Sequence, residues 1–523
     1  MYGTSKRENR EVPQSPIWLI AGWAAQGTLG GTPEMHERGK SDRLVVPANL
    51  SNKAVRAAAE VGEERGRAKG NTDSKTHPGR SAGQGASSAL GRVREVARRD
   101  RNARFSALLH HVTPQRLREA YWAISPKAAP GVDGVTWAAY GQGLEANLQG
   151  LYERVQSGSY RATPSRRVYI PKADGRLRPL GIASLEDKIV QRAVVEVLNA
   201  VYEVDFRGFS YGFRPGRGPH DALDALAVGI QTKRVNWVLD ADIRDFFNRI
   251  DHSWLRRFVE HRIADKRIWR LIGKWLAAGV VEDGQWSACE EGSPQGASAS
   301  PLLANVYLHY VFDLWADWWR NHRAHGDVVI VRFADDITVG FQHEEDARRF
   351  RDELHQRLAR FGLELHPDKT RLIEFGQRAD IDRRRRGLGK PETFDFLGFT
   401  HICARSRGGR FWVRRITVAK RMRAKLAEVK AQLRRRRHDP IPVQGRWLAQ
   451  VLRGHANYYA VPGNSDAVSA FRHQTILHWR KALGRRSQRG RVNWKRMGRY
   501  ATRWLPRLRV THPLPNVRFA ART

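Results

Sequence analysis

Val328-Val-Ile-Val-Arg-Phe-Ala-Asp-Asp-Ile-Thr-Val-Gly-Phe341 is the stretch on which the fold of this 523-residue chain turns. Two β-prone apolar runs flank a pair of adjacent acids, so the local pattern is strand, tight turn, strand, with Asp335 and Asp336 raised at the turn. Carboxylates held there can share a metal ion, but Asp is also an ordinary residue of a solvated turn. The rest of the chain has to decide between the two.

Working outward, Val235-Asn-Trp-Val-Leu-Asp-Ala-Asp-Ile-Arg-Asp-Phe-Phe-Asn-Arg-Ile-Asp-His252 reads as an apolar strand that ends in acids and passes into an aromatic turn. Asp242 stands at the strand's end, a usual place for a site residue on an α/β scaffold. Beyond the hairpin, Phe350, Leu354, Leu358 and Phe361 give helical spacing from about Glu344 to Phe361, followed by a short strand Leu363-Glu-Leu365 and then His366-Pro-Asp-Lys-Thr370. This order is a split β-α-β layout. It predicts that Asp242 and the Asp pair lie on neighbouring strands although 93 positions (335 minus 242) separate Asp242 from Asp335.

Further pieces surround this centre. Arg166 to Ile182 forms a hairpin with its turn at Asp174-Gly175 and with Lys172, Arg176 and Arg178 on its strands. Cations displayed in this way can clamp a triphosphate; a charged solvated edge has the same composition. Glu290-Glu-Gly-Ser-Pro-Gln-Gly296 is a Gly-bearing loop ahead of a long apolar helix beginning near Ser298, where backbone can approach a nucleotide and Gln295 projects. Residues 185–203 and 219–232 read as helices, and Ala129-Pro-Gly-Val-Asp-Gly-Val-Thr136 as a turn in which two glycines permit positive φ.

The net charge of +39 far exceeds what solubility requires and implies a polyanionic partner, nucleic acid or an anionic membrane surface. Residues 401–523 hold 31 Lys and Arg against Glu428, Asp439 and Asp466, so this last quarter carries +28 and should be the main polyanion-binding surface. From about residue 416 three amphipathic helices are expected, through Val418, Met422, Leu426, Val429 and Leu433, then Trp447, Val451, His455 and Tyr459, then Val468, Phe471, Thr475 and Trp479. Arg434, Arg435, Arg436 and Arg437 belong to their outer faces. Cys289 and Cys403 are too few and too far apart for a disulfide framework or a Cys-rich zinc module, which suits a reducing cytoplasm. The apolar run Ile17 to Ala25 is too short to span a bilayer. Residues 1–87 lack period and apolar content and are expected to be largely disordered, with a helix beginning near Ser88 that places Leu90, Val93, Val96 and Ala97 on one face.

Taken together these motifs strongly resemble the group II intron reverse transcriptase/maturase family over nearly all of residues 88–523. Phe333-Ala-Asp-Asp336 resembles the polymerase box, with Phe in place of the usual Tyr, and Asp242 to His252 the first catalytic box. Ser293-Pro-Gln-Gly296 resembles the loop against the incoming base. Ile170-Pro-Lys172 through Arg178 to Ile182 resembles the fingers box, Leu365 to Lys369 a later palm box, and Phe394-Asp-Phe-Leu-Gly-Phe399 the palm-to-thumb box. Six boxes in family order are specific where one would not be. Asp245 and Asn248 stand where relatives commonly carry Gly and Asp, and Ala297 and Ser298 follow the Gln-Gly pair where small or β-branched residues are common; such differences bear on fidelity or rate more than on reaction class. The Cys- and His-bearing endonuclease module that ends longer members is not expected here.

The resemblance implies an α+β right-hand polymerase: a disordered basic N-terminal segment (1–87), an N-terminal extension and fingers (88–232), a split β-α-β palm (233–400), a helical basic thumb or domain X (401–500) and a basic tail (501–523). It implies an RNA-directed DNA polymerase that binds its host intron RNA and assists splicing and mobility, taking dNTPs, an RNA template with a DNA primer, and target DNA. Two Mg²⁺ ions would be held by Asp242, Asp335, Asp336 and the backbone carbonyl of Ile243. Lys172 and Arg178 would neutralise the triphosphate, Gln295 would face the nucleotide, and Lys369 would hold or protonate the leaving pyrophosphate. Phe247 is either a gate excluding a ribose 2′-hydroxyl or core packing, and Tyr458 and Tyr459 either stack on bases or pack in the core. A domesticated reverse transcriptase in defence or repair, and a splicing-only RNA-binding maturase, are the competing functions.

Overall fold

In the computed structural model, residues 83–171, 177–288, 292, 296–406, 408–486 and 492–520 are described, and all fall within the unit Lys40–Thr523. Following the chain, β1 (Ser165–Pro171) and β2 (Leu177–Ile182) form the expected antiparallel hairpin, and β3 (Trp237–Asp242) is the apolar strand ending at Asp242. A second hairpin, β4 (Val280–Glu282) and β5 (Gln285–Ser287), pairs onto β1 and completes a sheet of order β2-β1-β4-β5. Next come β6 (Val328–Phe333), β7 (Asp336–Phe341) and β8 (Arg371–Glu374), which join β3 in a sheet of order β6-β7-β3-β8. β9 (Phe394–Phe396), β10 (Phe399–Arg405) and β11 (Phe411–Thr417) make a three-stranded sheet. The architecture is α+β.

The central sheet differs from expectation in its outer strand. Leu363 to Leu365 does not form a strand; only Leu365 bridges to Ile243, and β8 pairs alongside Trp237 to Asp240 instead. By position 243 the chain is leaving β3 for a 3-10 turn at Phe246–Asn248, so no ladder can propagate there. The turn His366 to Thr370 lies over the end of β3, with the His366 amide donating to the Asp242 carbonyl at 2.8 Å.

Helices cover the sheets. The expected spans appear as Leu185–Asp205, Pro219–Thr232 and Glu344–Ala359, the first opened by Ser184, whose hydroxyl accepts from the Asp187 amide. Apolar spacing makes the first of these almost wholly buried, with Ile189, Val190, Ala193, Val194 and Val197 inaccessible. The apolar helix starts at Ser300 rather than near Ser298 and is interrupted by a π turn at His309–Asp313 before continuing as Leu314–His322. The N-terminal helix runs Gly83–Arg99; Leu90, Val93 and Ala97 are buried, but Val96 points to solvent at 49% exposure, because its side chain lies off the stripe that the other three define. Of the two glycines in the 129–136 turn, only Gly134 has positive φ, at 68°. Gly131 is needed for close approach, since a Cβ there would stand 2.6 Å from the Ser184 Cα. The disorder expected of residues 1–87 lies, as far as position 82, outside the described residues.

The C-terminal helices Ala419–Arg435, Ile441–Tyr459 and Ser465–Gly484 pack around Leu433, Leu448, Leu452, Phe471 and Trp479, and a fourth helix, Trp494–Trp504, joins them through Met497. The stretch expected as a basic tail then folds back: the Thr511 amide bonds the Ala460 carbonyl at 3.0 Å, and Arg518 pairs at 3.1 Å with Asp224 of the helix Pro219–Thr232. Among the described residues no helix is long and apolar enough to cross a membrane.

His401 on β10 is fully buried and stacks on Phe394, with ring centroids 4.7 Å apart, and neither ring nitrogen has a hydrogen-bond partner. Burial, and then the Arg415 guanidinium, push its pKa from 6.5 down to about 3. The folded state therefore holds the neutral ring, and the stability this confers is present above pH 6.5 and lost as pH falls from there toward 3. Between neutrality and about pH 5 the loss from one such histidine is about 2 kcal/mol. His401→Phe should therefore flatten the decline in urea midpoint over that window while leaving the midpoint near pH 7 within error; an equally steep decline would refute the assignment.

Candidate active site

The β6–β7 hairpin meets β3 in antiparallel register, with Asp242 directly opposite Asp336. Residues opposed in this way share a face, and their Cβ atoms stand about 4.5–5.5 Å apart. Asp335 is at the turn, preceded by Ala334 in the left-handed conformation at φ 56°. The sequence thus brings Asp242, Asp335 and Asp336 to one end of one sheet. Asp240 shares this face two residues before Asp242, opposite Thr338 and Arg371. Sequence reasoning passed over it, although the spacing Asp240-Ala-Asp242 in a strand aligns the two side chains and could have revealed it.

The electrostatics reflect this crowding. Burial raises the Asp335 pKa, with Asp242 raising it further while Arg178 and Lys369 oppose. Asp336 is pushed up to about 7 by burial and then by Asp335, Asp242 and Asp240, with Arg421 opposing. The Asp336 side chain reaches solvent, and three other carboxylates crowd it. Asp240 is likewise pushed up to about 7, by burial first and then by Asp242 and Asp395 against Arg371. The Lys369 ammonium rests on the Asp242 carboxylate.

These residues fit divalent ions. The donors are hard carboxylate oxygens, they converge at the mouth of a turn, and they carry a mutual repulsion that a bound cation relieves. Among the described residues no three such side chains already stand at coordination spacing, and the Lys369 ammonium lies against Asp242.

Of the other expected site residues, Arg178 lies on β2 close enough to Asp335 to lower its pKa. Lys172 and Gln295 lie outside the described residues, as do Ser293 and Pro294. The two glycines bounding the latter loop are described, and both are tight: a Cβ at Gly292 would stand 2.8 Å from the Phe247 carbonyl oxygen, and one at Gly296 would stand 2.6 Å from that of Gly181. Gly292 is thereby seated against the turn after Asp242 and Gly296 against the end of β2. Phe247 is 9% exposed, edge-on to Phe246 with centroids 5.4 Å apart, at the margin of the main core. Ile243 is buried and bridges Leu365.

The four arginines do not form one outer face. Arg434 and Arg435 are exposed, whereas Arg436 lies over the Trp447 ring at 5.2 Å and pairs with Asp439 at 3.6 Å, and Arg437 is half-buried. The helix ends at Arg435, so the last two residues turn inward. Tyr458 donates its hydroxyl to the Leu397 carbonyl at 2.8 Å, and both Tyr458 and Tyr459 pack on Phe399, which places them with the core.

Residues 170–401 match the reverse transcriptase (RNA-dependent DNA polymerase) family. The chain is similar to protein YkfC of Escherichia coli K12, with 34% identity over 59% of this chain and 86% of that protein. It is also similar to the group II intron-encoded protein LtrA of Lactococcus lactis subsp. cremoris, with 39% identity over 32% of this chain and 27% of LtrA. A 91 kDa protein in the cob intron of Schizosaccharomyces pombe is 40% identical over 30% of this chain and 20% of its own length. The chain therefore matches most of the first relative and about a quarter or less of the two intron proteins.

Crowded carboxylates make a stability prediction. Asp336→Asn should leave the metal-free protein as stable as wild type or raise its melting temperature by about 1–4 °C. Added Mg²⁺ should stabilise wild type and do so less for the variant. Scanning calorimetry with and without the ion reads both, and equal stabilisation of the two proteins would exclude Asp336 as a ligand.

Proposed function

Because the chain belongs to the reverse transcriptase family, in its group II intron-encoded branch, we propose that it is an RNA-directed DNA polymerase that binds its host intron RNA and assists splicing and mobility. The observation that carries the catalytic part is the direct opposition of Asp242 and Asp336 across β3 and β7, with Asp335 at the adjoining turn. In this reading the sheet β6-β7-β3-β8 is the palm, the hairpin β1–β2 belongs to the fingers, and the helices from Ala419 onward form the thumb or domain X.

Asp242, Asp335, Asp336 and the Ile243 carbonyl would hold two magnesium ions, which when bound activate a primer 3′-hydroxyl and steady the leaving oxygen of a dNTP. The side chains around them supply the rest. Arg178, and Lys172 on the same hairpin, neutralise the triphosphate. Lys369, which lies against Asp242, would hold the pyrophosphate or give it a proton. Gln295 contacts the incoming base pair. Phe247, with its ring edge at the core margin, bars a 2′-hydroxyl by occupying the space below the sugar. Phosphate contacts along the cationic C-terminal helices, through Arg434 and Arg435 among others, give the grip on RNA without reading its sequence, and RNA shape supplies the specificity. Target DNA and a cytoplasmic setting complete the proposal.

Primer extension on an RNA template with Mg²⁺ tests the polymerase. Wild type should extend, a chelator should stop it, and Asp335→Ala should reduce kcat by about 10³-fold or more, equivalent to about 4 kcal/mol. Wild type no more active than Asp335→Ala would refute the polymerase and leave a splicing-only maturase. Phe333 is partly exposed with its ring 6.5 Å from Phe213, so Phe333→Tyr should change the extension rate by less than about threefold, about 0.7 kcal/mol. Flanking DNA without a group II intron's catalytic RNA would remove the intron role and favour a domesticated enzyme.

A further inference from the structure

Behind the turn that carries Asp335 and Asp336 lies one buried guanidinium. Arg332 on β6 is inaccessible to solvent. Its Nε and Nη2 donate to the two carboxylate oxygens of Asp313 at 2.7 and 2.6 Å, and Nη2 also donates to the Ser210 hydroxyl at 2.7 Å. Nη1 donates to the Asn305 side-chain oxygen at 3.1 Å and to the Ala334 carbonyl at 2.9 Å. All five donors of the guanidinium are thereby used, and one of them is spent on the residue immediately before Asp335.

That residue is held against its own preference. Ala334 has φ 56°, a conformation that persists in a non-glycine residue only where its surroundings over-determine it. The surroundings here are the loop Phe209 to Phe213, which runs alongside β6. The Arg332 amide donates to the Phe209 carbonyl at 2.9 Å, and the Tyr211 amide to the Arg332 carbonyl at 2.8 Å. Gly212 then lies so close that any Cβ would collide with the Ala334 nitrogen. Asn305 ties the loop to the same hub, donating to the Gly212 carbonyl at 2.7 Å while accepting from Arg332. Asp313 closes the π turn His309–Asp313. A π turn adds one residue to a helical turn and so re-aims the side chains beyond it, and such turns recur at functional sites. In the present case it interrupts the helix at the residue that receives the guanidinium fork.

A buried ion pair is by itself poor evidence of stabilisation, because desolvating both charges offsets their attraction. The distinguishing feature is geometry: a hub saturated by Asp313, Ser210, Asn305 and the Ala334 carbonyl is satisfied in one arrangement of the turn. We propose that Arg332 is a positioning residue that fixes the Ala334 turn, and through it the spacing of the Asp335 and Asp336 carboxyls, with Asp313 and Asn305 holding the guanidinium and Gly212 backing the turn. Arg332 touches neither substrate nor ion. The inference rests on the polymerase reading above.

Arg332→Lys tests it. A lysine keeps the charge for Asp313, but its three donors on one atom cannot also span to Asn305, Ser210 and the Ala334 carbonyl. The variant should stay folded, with kcat for primer extension down about 10–100-fold and KM for dNTP and for primer–template within about twofold. Calorimetric titration of the substrate-free protein should show Mg²⁺ binding weakened by about tenfold. Gly212→Ala, which leaves Arg332 intact and presses on Ala334 from the other side, should give the same loss confined to kcat. Wild type that does not extend a primer would sink the polymerase reading. Active wild type with a folded, fully active Arg332→Lys, or losses in both variants that track the unfolded fraction, would overturn the positioning role.

Discussion

Repulsion among carboxylates gathered at one end of a sheet is the constraint on which the rest of this molecule depends. β3 and β7 set Asp242 against Asp336, Asp240 adds a third acid on the same face, and Asp335 a fourth at the turn. The opposing charges come from separate parts of the chain. Arg178 arrives on β2, Lys369 from the turn over β3, Arg371 on β8 and Arg421 on the first C-terminal helix. An acidic cluster of this kind costs stability unless it is opposed. It also makes a ready position for divalent cations, and the cost in the empty state is the counterpart of affinity in the loaded one.

Backbone strain gathers at the same end. Ala334 and Asp245 are both left-handed non-glycine residues, at φ 56° and 46°; the first precedes Asp335 and the second opens the turn after Asp242. Phe213, at φ 57°, sits on the loop that backs the hairpin. Strained residues of this sort collect where surrounding structure prevents relaxation, and active sites are where it does so. The buried fork of Arg332 and the close approach of Gly212 are that restraint at Ala334, so the acid cluster is held by polar geometry from behind as well as by strand pairing from the sides.

Much of this was legible in the chain. Continuous β-prone apolar runs on either side of Asp335-Asp336 pointed to the hairpin, and the order of strands and helices predicted that Asp242 would neighbour it although 93 positions separate Asp242 from Asp335. Local periodicity reports local structure well. It reported less where the outcome depended on what lay opposite. Leu363 to Leu365 has the composition of a strand, yet its would-be partner curls away after Asp242, and Arg371–Glu374 takes the place. Arg434 to Arg437 read as one cationic run, yet the helix ends within it and Trp447 draws Arg436 inward. The hub around Arg332 was invisible for a stronger reason: its members come from three separate segments, the loop at Ser210, the helical stretch carrying Asn305 and Asp313, and the turn at Ala334, and the π turn that aims Asp313 leaves no periodic trace in an apolar helix.

The C-terminal quarter raises a different question, since a surface that gripped phosphate by charge alone, as proposed for it, would have no intrinsic way of presenting a duplex to the carboxylates. Its attachment to the sheets supplies one. Asp224, 2% exposed on the helix Pro219–Thr232, receives Arg415 of β11 at 2.8 Å and Arg518 of the returning C-terminal segment at 3.1 Å. Tyr458 bonds the Leu397 carbonyl beside β9, and Asn464 bonds both Thr417 and the Tyr459 carbonyl. An apolar interface would hold the helices to the sheets but tolerate sliding; buried polar contacts are satisfied in one register. The cationic helices are therefore fixed relative to the acid cluster by buried polar contacts, and on the proposed polymerase reading that register would turn non-specific affinity for phosphate into delivery of a strand end to the site.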